Sequence, residues 1–354
     1  MTEININGTL CHSLEQLKEA CSDELYAFFE EYLSDTTEIT AHTSGSTGKP
    51  KEIHLSKSDM VQSARATNEF FSIDKDSILY LCLSPKYIAG KMVVVRAIEA
   101  GCKLIEETPS NTPLADYYTD PVCLISLVPS QMTGLFNTPD RLQYIKRILL
   151  GGGAVSDKLR RKIVDYGLDA YESYGMTETC SHVALAHIEI DRQPFTMVGR
   201  NTASVDDRGC LVIDLPDYTV KRITTNDIVE LLDEKHFYWL GRIDNVVNTG
   251  GIKVFPEQVE PVIARVLPKA KFFLTGIPDE KWGQRLVMVL EYPSLKEGTY
   301  KIGEVKPQLI EELKHSLPTA NIPRTYIAIP KMEYTATCKI IRKIPTFVDT
   351  LNLP

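Results

Sequence analysis

No uninterrupted apolar stretch in this chain reaches bilayer-spanning length, and its opening, MTEININGTL, lacks the basic-then-apolar layout of a secretory leader. The protein is therefore expected to be cytoplasmic, with no membrane insertion. An excess of positive charge is missing as well: 39 Lys and Arg face 47 Asp and Glu, a net charge of -8. A phosphate backbone rewards a basic face, so this balance argues against general nucleic-acid binding. Small anions can still be held where lysines converge locally. The eight cysteines stand singly at 11, 21, 82, 102, 123, 180, 210 and 338, without the short paired spacings of zinc or redox sites. They read as buried, reduced thiols. Internal repeats and low-complexity tracts are also absent. What is present, 354 residues with 43% hydrophobic content, can bury substantial cores and suggests two or three domains.

Residues 42-51 read His-Thr-Ser-Gly-Ser-Thr-Gly-Lys-Pro-Lys. Gly45 and Gly48 let backbone amides approach an anion, Thr43, Ser44, Ser46 and Thr47 add donors, and Lys49 and Lys51 add charge. The stretch is suited to phosphate, yet it is not the common phosphate loop. Its glycines are too close together, and Pro50 stands where that loop needs Ser or Thr after the lysine. A flexible polar loop is the competing reading of these residues alone.

Around this stretch the opening reads as helical: Ser13 and Gln16 fit a capping box, and Leu25, Phe28, Phe29, Tyr32 and Leu33 share a helical face. Short apolar runs then alternate with helical patterns, at 77-83, 122-128 and 147-153. Between the last run and AYESYG at 170-175 lies a helix capped by Ser156, with Leu159 and Ile163 inward and Gly167 as its stop. The alternation predicts an α/β fold with a largely parallel sheet covered on both faces, where ligands gather beyond the strand ends. After about residue 244 the pattern changes. Pro256 opens a helix with Val259, Val262, Ile263 and Val266 inward; strands KFFLTGI and RLVMVLEY follow, then a helix with Leu309, Leu313 and Leu317. The expected organisation is a large layered α/β domain over 1-243 and a small mobile α+β domain over 244-354, joined at a polar, glycine-containing segment.

Five segments, TSGSTGKPK, YGMTE at 174-178, the Thr225-Asn226-Asp227 turn, GRIDNVVNTGGIKVFPEQVE at 241-260 and TATCKIIRK at 335-343, carry a resemblance. In order and spacing they resemble the signature segments of the adenylate-forming enzymes, the superfamily of acyl-CoA synthetases, luciferases and peptide-synthetase adenylation domains. The resemblance implies ATP, Mg2+ and coenzyme A as reactants or cofactors, and a small carboxylic acid as substrate. It implies that Thr43-Lys51 grips the β- and γ-phosphates, that Tyr174 lies against adenine, that Thr177 binds the α-phosphate, and that Glu178 holds magnesium. Asp227 and Arg242 match ribose-contacting positions, and Gly151, Gly152 and Gly153 would give adenosine close access to backbone. Lys339 matches the lysine that bridges the acid and the α-phosphate. Asp244 matches the hinge, and Gly250 and Gly251 the channel for the pantetheine thiol. Cys338 departs from the family, which usually has glycine there.

The acyl pocket is expected to involve residues 83-97 and 126-132. Tyr87 takes the place of a family aromatic or histidine, while Lys86, Lys91 and Arg96 add positive charge beside an apolar helix. These cations are either the solvated ends of that helix or partners for a second substrate carboxylate, with Lys91 the foremost candidate. The segment SLVPSQM, which begins at Ser126, resembles that of o-succinylbenzoate-CoA ligases and favours an aromatic acid bearing a succinyl carboxylate. A general acyl- or aryl-CoA synthetase, a carrier-loading enzyme and a silent nucleotide- or acyl-binding regulator are the alternatives, and a homodimer is left open. Only about forty residues precede the phosphate-loop segment, against well over a hundred in typical members, so part of the first subdomain is expected to be missing.

Overall fold

The computed structural model describes residues 3-43, 51-114, 120-334 and 340-344. The chain opens on a hairpin and not on a helix. Ile4–Ile6 and Thr9–Cys11 pair antiparallel, and Asn7 and Gly8 turn the chain with φ of 52° and 89°. Asn-Gly between two apolar runs is a strong two-residue turn signal, which overrides the helical reading of this opening. Helices follow at Leu14–Ala20 and Asp23–Leu33. Ser13 accepts from the Gln16 amide, while Gln16 returns to the His12 amide at 2.6 Å, so the reciprocal bond falls one residue early. Ser22 caps the second helix, whose Leu25, Phe28, Phe29 and Tyr32 face the core.

The principal sheet has thirteen strands among the described residues. Its centre is parallel: Ile4–Ile6, Lys103–Glu106, Ile78–Leu81, Leu124–Leu127, Ile148–Leu150 and Ala170–Gly175 are neighbours in that order. From Ala170–Gly175 outward every pairing is antiparallel, through His182–His187, Phe195–Met197, His236–Arg242, Arg222–Leu231, Cys210–Asp214 and Thr202–Val205. The largely parallel sheet read from the sequence is therefore only part of the whole. Strands joined by short turns need no crossover helix, so this stretch shows no alternation with helical patterns. Leu124–Leu127 and Ile148–Leu150 are wholly buried, as parallel strands covered on both faces must be. Helices Ile88–Ala100 and Asp157–Asp165 are two of the connections; Ser156 caps the latter, and Gly167 follows it with φ of 64°.

A second sheet collects Val247–Thr249, Ile252–Val254, Phe272–Asp279, Gly283–Glu291, Lys301–Glu304 and Thr325–Ile329. Its core, with Val259, Ile263, Phe273, Val287 and Leu313, draws only on residues from Val247 onward. The expected helices are present at Pro256–Val266 and Pro307–Lys314, although Leu317 lies beyond the end of the second. The first sits against the principal sheet: Gln258 Nε2 donates to the carbonyls of Trp239 and Leu240, and Arg265 pairs with Asp157 across 2.5 Å. Arg342 is anchored within the small sheet's fold. It makes a two-armed pair with Glu260, at 2.5 and 2.7 Å, and donates to the Leu274 carbonyl at 2.9 Å. Among the described residues no helix is long and apolar enough to cross a membrane. Six of the seven described cysteines are buried and all seven are free.

Candidate functional site

Parallel strands place their following loops on one edge of the sheet, and the candidate residues of the large sheet gather there. Ile148–Leu150 ends at Gly151, Gly152 and Gly153. Gly152 has φ of 77°, in the region that favours glycine, and a Cβ there would lie 3.3 Å from Val128, just beyond the neighbouring strand Leu124–Leu127. Gly152 and Gly153 are exposed, leaving backbone open to a ligand.

The adjacent strand Ala170–Gly175 carries Tyr174 and runs into the short 3-10 turn Thr177–Thr179. The buried Thr179 hydroxyl accepts from the Met176 amide at 3.0 Å and lies 2.6 Å from the Ser181 carbonyl, closing the turn internally. Thr177 and Glu178 are left facing outward, with Glu178 exposed and forming no ion pair among the described residues. The hairpin Glu38–Thr43/Lys51–Ser56 lies beside this turn, with Thr43 opposite Lys51 in register. Ser44, Gly45, Ser46, Thr47, Gly48 and Lys49 lie outside the described residues, as does Lys339; for Thr43 and Lys51 only the backbone is described.

Three residues from separate segments meet behind that turn. Tyr174 Oη donates to Asp227 Oδ2 at 2.7 Å, and Arg242 Nη1 lies 4.0 Å from the other Asp227 oxygen. Arg242 also pairs with Asp244 at 3.0 Å. Asp227 and Arg242 are register partners on adjacent antiparallel strands, and so share one face. Burial, with Asp227 adding to it, pushes the Tyr174 phenol far above its ordinary value, so it remains a hydrogen-bond donor at neutral pH. Its ring packs edge-on against Phe237 at 5.4 Å, which fixes the side chain in place.

The basic residues of the expected acyl pocket divide sharply. Lys91 is buried against Glu31 at 2.8 Å with its ammonium over the Phe28 ring, so its charge is taken within the fold. Lys86 is exposed and pairs with Glu24 at 3.2 Å. Arg96 is the exception: it is 2% exposed, donates to Ser181 Oγ at 2.7 Å, and has no carboxylate partner among the described residues. Its Nε is buried without a partner. Burial lowers its pKa to about 10, leaving it charged at neutral pH. Beside it, burial and then the Arg96 charge hold His182 well below the usual histidine range, and therefore neutral. Sequence reasoning singled out Lys91 because helical spacing does not reveal which of three cations already has an acid. Tyr87 is 60% exposed at the start of helix Ile88–Ala100, and Ser126 is buried within its strand.

At the junction of the two sheets Asp244 sits in the short turn Ile243–Asn245. Gly250 and Gly251, with φ of 60° and 82°, form the hairpin turn between Val247–Thr249 and Ile252–Val254. A Cβ on Gly250 would come within 2.7 Å of the exposed Trp282 ring, so this tight turn requires glycine.

The AMP-binding enzyme family matches residues 29-212, just over half of the chain. The chain belongs to this family. A 2-succinylbenzoate–CoA ligase of Staphylococcus epidermidis is 26% identical over 328 residues, covering 85% of this chain and 68% of that protein. Among solved structures, an acyl-CoA synthetase (AMP-forming)/AMP-acid ligase II-like protein of Dyadobacter fermentans is 33% identical, with a TM-score of 0.59, and covers 90% of this chain and 91% of that one. The Bacillus subtilis o-succinylbenzoate coenzyme A synthetase, solved with ATP and magnesium ion, shares the fold at a TM-score of 0.72 with 20% identity. It covers 93% of this chain and 73% of that one. Family membership accounts for the order of the signature segments. Sequence reasoning did not find the supports beneath them, Glu172, Ser173, Arg160 and Ser181. The one available signal was alternation on a strand, which puts Glu172 on the same face as Tyr174.

Proposed function

We propose that this protein is an ATP-dependent acid–CoA ligase that forms an acyl-adenylate and then a thioester, with o-succinylbenzoate as its acid. The observation that carries the nucleotide half is the meeting of Tyr174, Asp227 and Arg242 beside the open Gly151-Gly153 loop. In the first step an acid oxygen attacks the α-phosphorus of ATP and the bond to the β-phosphate breaks, releasing pyrophosphate. In the second the CoA thiol, losing its proton, attacks the acyl carbon and AMP leaves. Such phosphoryl substitution depends mainly on positioning and charge neutralisation.

In this reading Thr43-Lys51 holds the outer phosphates, Thr177 the α-phosphate, Tyr174 the adenine, and Asp227 with Arg242 the ribose. Glu178 would hold magnesium: an exposed carboxylate with no ion-pair partner among the described residues suits a hard cation that takes most of its ligands from phosphate and water. Bound there, magnesium would supply neutralising charge to the phosphates. Residues 1-243 bind nucleotide and acid, residues 244-354 move about Asp244, and Gly250 and Gly251 line the thiol's path.

Arg96 supports the substrate choice in place of Lys91. A buried cation without a counter-ion is costly by several kcal/mol, and an anionic substrate group beside helix Ile88–Ala100 would offset that cost. The names of the curated relatives favour the same acid. Acid-dependent exchange of labelled pyrophosphate into ATP, run over o-succinylbenzoate, benzoates and fatty acids, tests the proposal. Exchange should be fastest with o-succinylbenzoate, and no exchange with any acid would overturn the ligase reading. Arg96→Met should raise KM for o-succinylbenzoate about thirtyfold, the worth of a charge-assisted hydrogen bond, and leave KM for benzoate unchanged. Equal losses for both acids would make Arg96 a structural cation.

A further inference from the structure

The loop from Gly151 to Ser156 joins Ile148–Leu150 to helix Asp157–Asp165, and it is held at both ends by one neighbouring strand. At its start, Ser173 Oγ donates to the Leu150 carbonyl at 2.9 Å, and a Cβ on Gly151 would lie 2.8 Å from the Ser173 hydroxyl oxygen. At its end, Glu172 Oε1 accepts from the Val155 amide at 3.3 Å. The other Glu172 oxygen pairs at 2.9 Å with Arg160, which is 4% exposed and also reaches the Glu189 carbonyl at 3.4 Å. The carboxylate thus lies at the amino end of helix Asp157–Asp165, where backbone amides and the helix dipole favour negative charge. Tyr174 is the next residue on the same face of the strand.

This geometry points to Glu172, braced by Arg160, as a positioning residue that sets the Gly151-Gly153 backbone against Tyr174 to shape the adenosine cleft. The inference rests on the reading that ATP is a substrate and that its adenosine lies on that loop. The Arg160 side chain is 5% exposed and that of Glu172 22%, so releasing Glu172 would strand the guanidinium away from water, which holds the pair in one geometry. Glu172 touches no nucleotide in this scheme; it acts through Val155 and the loop.

The test is steady-state kinetics together with calorimetric binding of ATP to the full chain. Glu172→Ala should raise KM for ATP about tenfold with KM for the acid unchanged, and should weaken ATP binding by a similar factor. Glu172→Gln, which keeps an acceptor for the Val155 amide while losing the charge, should rescue part of this and raise KM for ATP about threefold. A role confined to stability would lower Vmax through loss of folded enzyme and leave KM for ATP in place, and that result overturns the inference. So does a parallel rise in KM for both ATP and acid. Wild-type protein that binds no ATP would instead sink the underlying ligase reading, so the two failures are distinguishable.

Discussion

Lys339→Ala is expected to slow acid-dependent adenylate formation about a thousandfold while leaving thioester synthesis from supplied acyl-adenylate within about threefold of the parent protein. During adenylation, negative charge concentrates where the acid oxygen meets the α-phosphate. In the proposed arrangement the Lys339 ammonium bridges both groups and acts on the transition state more than on either reactant, so its loss appears in kcat. The thiol step needs no such bridge, because phosphorus is no longer attacked. The chain just beyond this lysine is firmly attached: Arg342 is clamped by Glu260 and bound to the Leu274 carbonyl, while Ile340 bridges to Tyr334. Removing the Lys339 side chain should therefore leave the fold of the small sheet intact. Pyrophosphate exchange and adenylate-dependent thioester assays separate the two steps, and equal loss in both would argue against a lysine that serves only one of them.

Asp244→Pro should have the opposite signature, with pyrophosphate exchange within a few-fold of wild type and conversion of supplied adenylate slowed about a hundredfold. Proline locks φ near −65° and removes an amide hydrogen, which fits a short 3-10 turn but forbids a large backbone rotation there. The docked arrangement is held by separable polar contacts, Gln258 to the Trp239 and Leu240 carbonyls, Arg265 to Asp157, and Arg192 to Gln258 at 3.1 Å. Such contacts can be exchanged without exposing an apolar core, since the buried residues of the two sheets form separate clusters. Asp244 also pairs with Arg242, which reaches toward Asp227, so backbone movement at 244 would be felt by the proposed ribose site. A second half-reaction unaffected by proline would remove Asp244 as the pivot.

Much of the central fold was legible because its signals are local. Wholly apolar runs between helical patterns mark parallel strands, Ser156 and Pro256 mark helix starts, and each is found where expected. The antiparallel strands from His182 to Arg242 were less legible, because their partners are chosen by turns and by neighbours distant in the chain. The opening hairpin had a local signal in Asn7-Gly8, but the helical periodicity that follows it dominated the reading. Among the candidate site residues, the glycine, tyrosine and acid positions are singled out by spaced motifs. Charge pairing could not, and Lys91 and Arg96 differ only in whether Glu31 happens to lie opposite.

The sequence by itself determined the family, the order of its signature segments and the helix starts at Ser156 and Pro256, because these depend on residue type and short-range spacing. Tertiary structure alone decided that Tyr174 meets Asp227 across 2.7 Å, that Lys91 is neutralised while Arg96 has no acid partner among the described residues, and that Glu172 accepts from the Val155 amide. The reason is physical: the energy of a buried charge or hydrogen bond depends on which distant partner desolvates with it, and only folding brings those partners together.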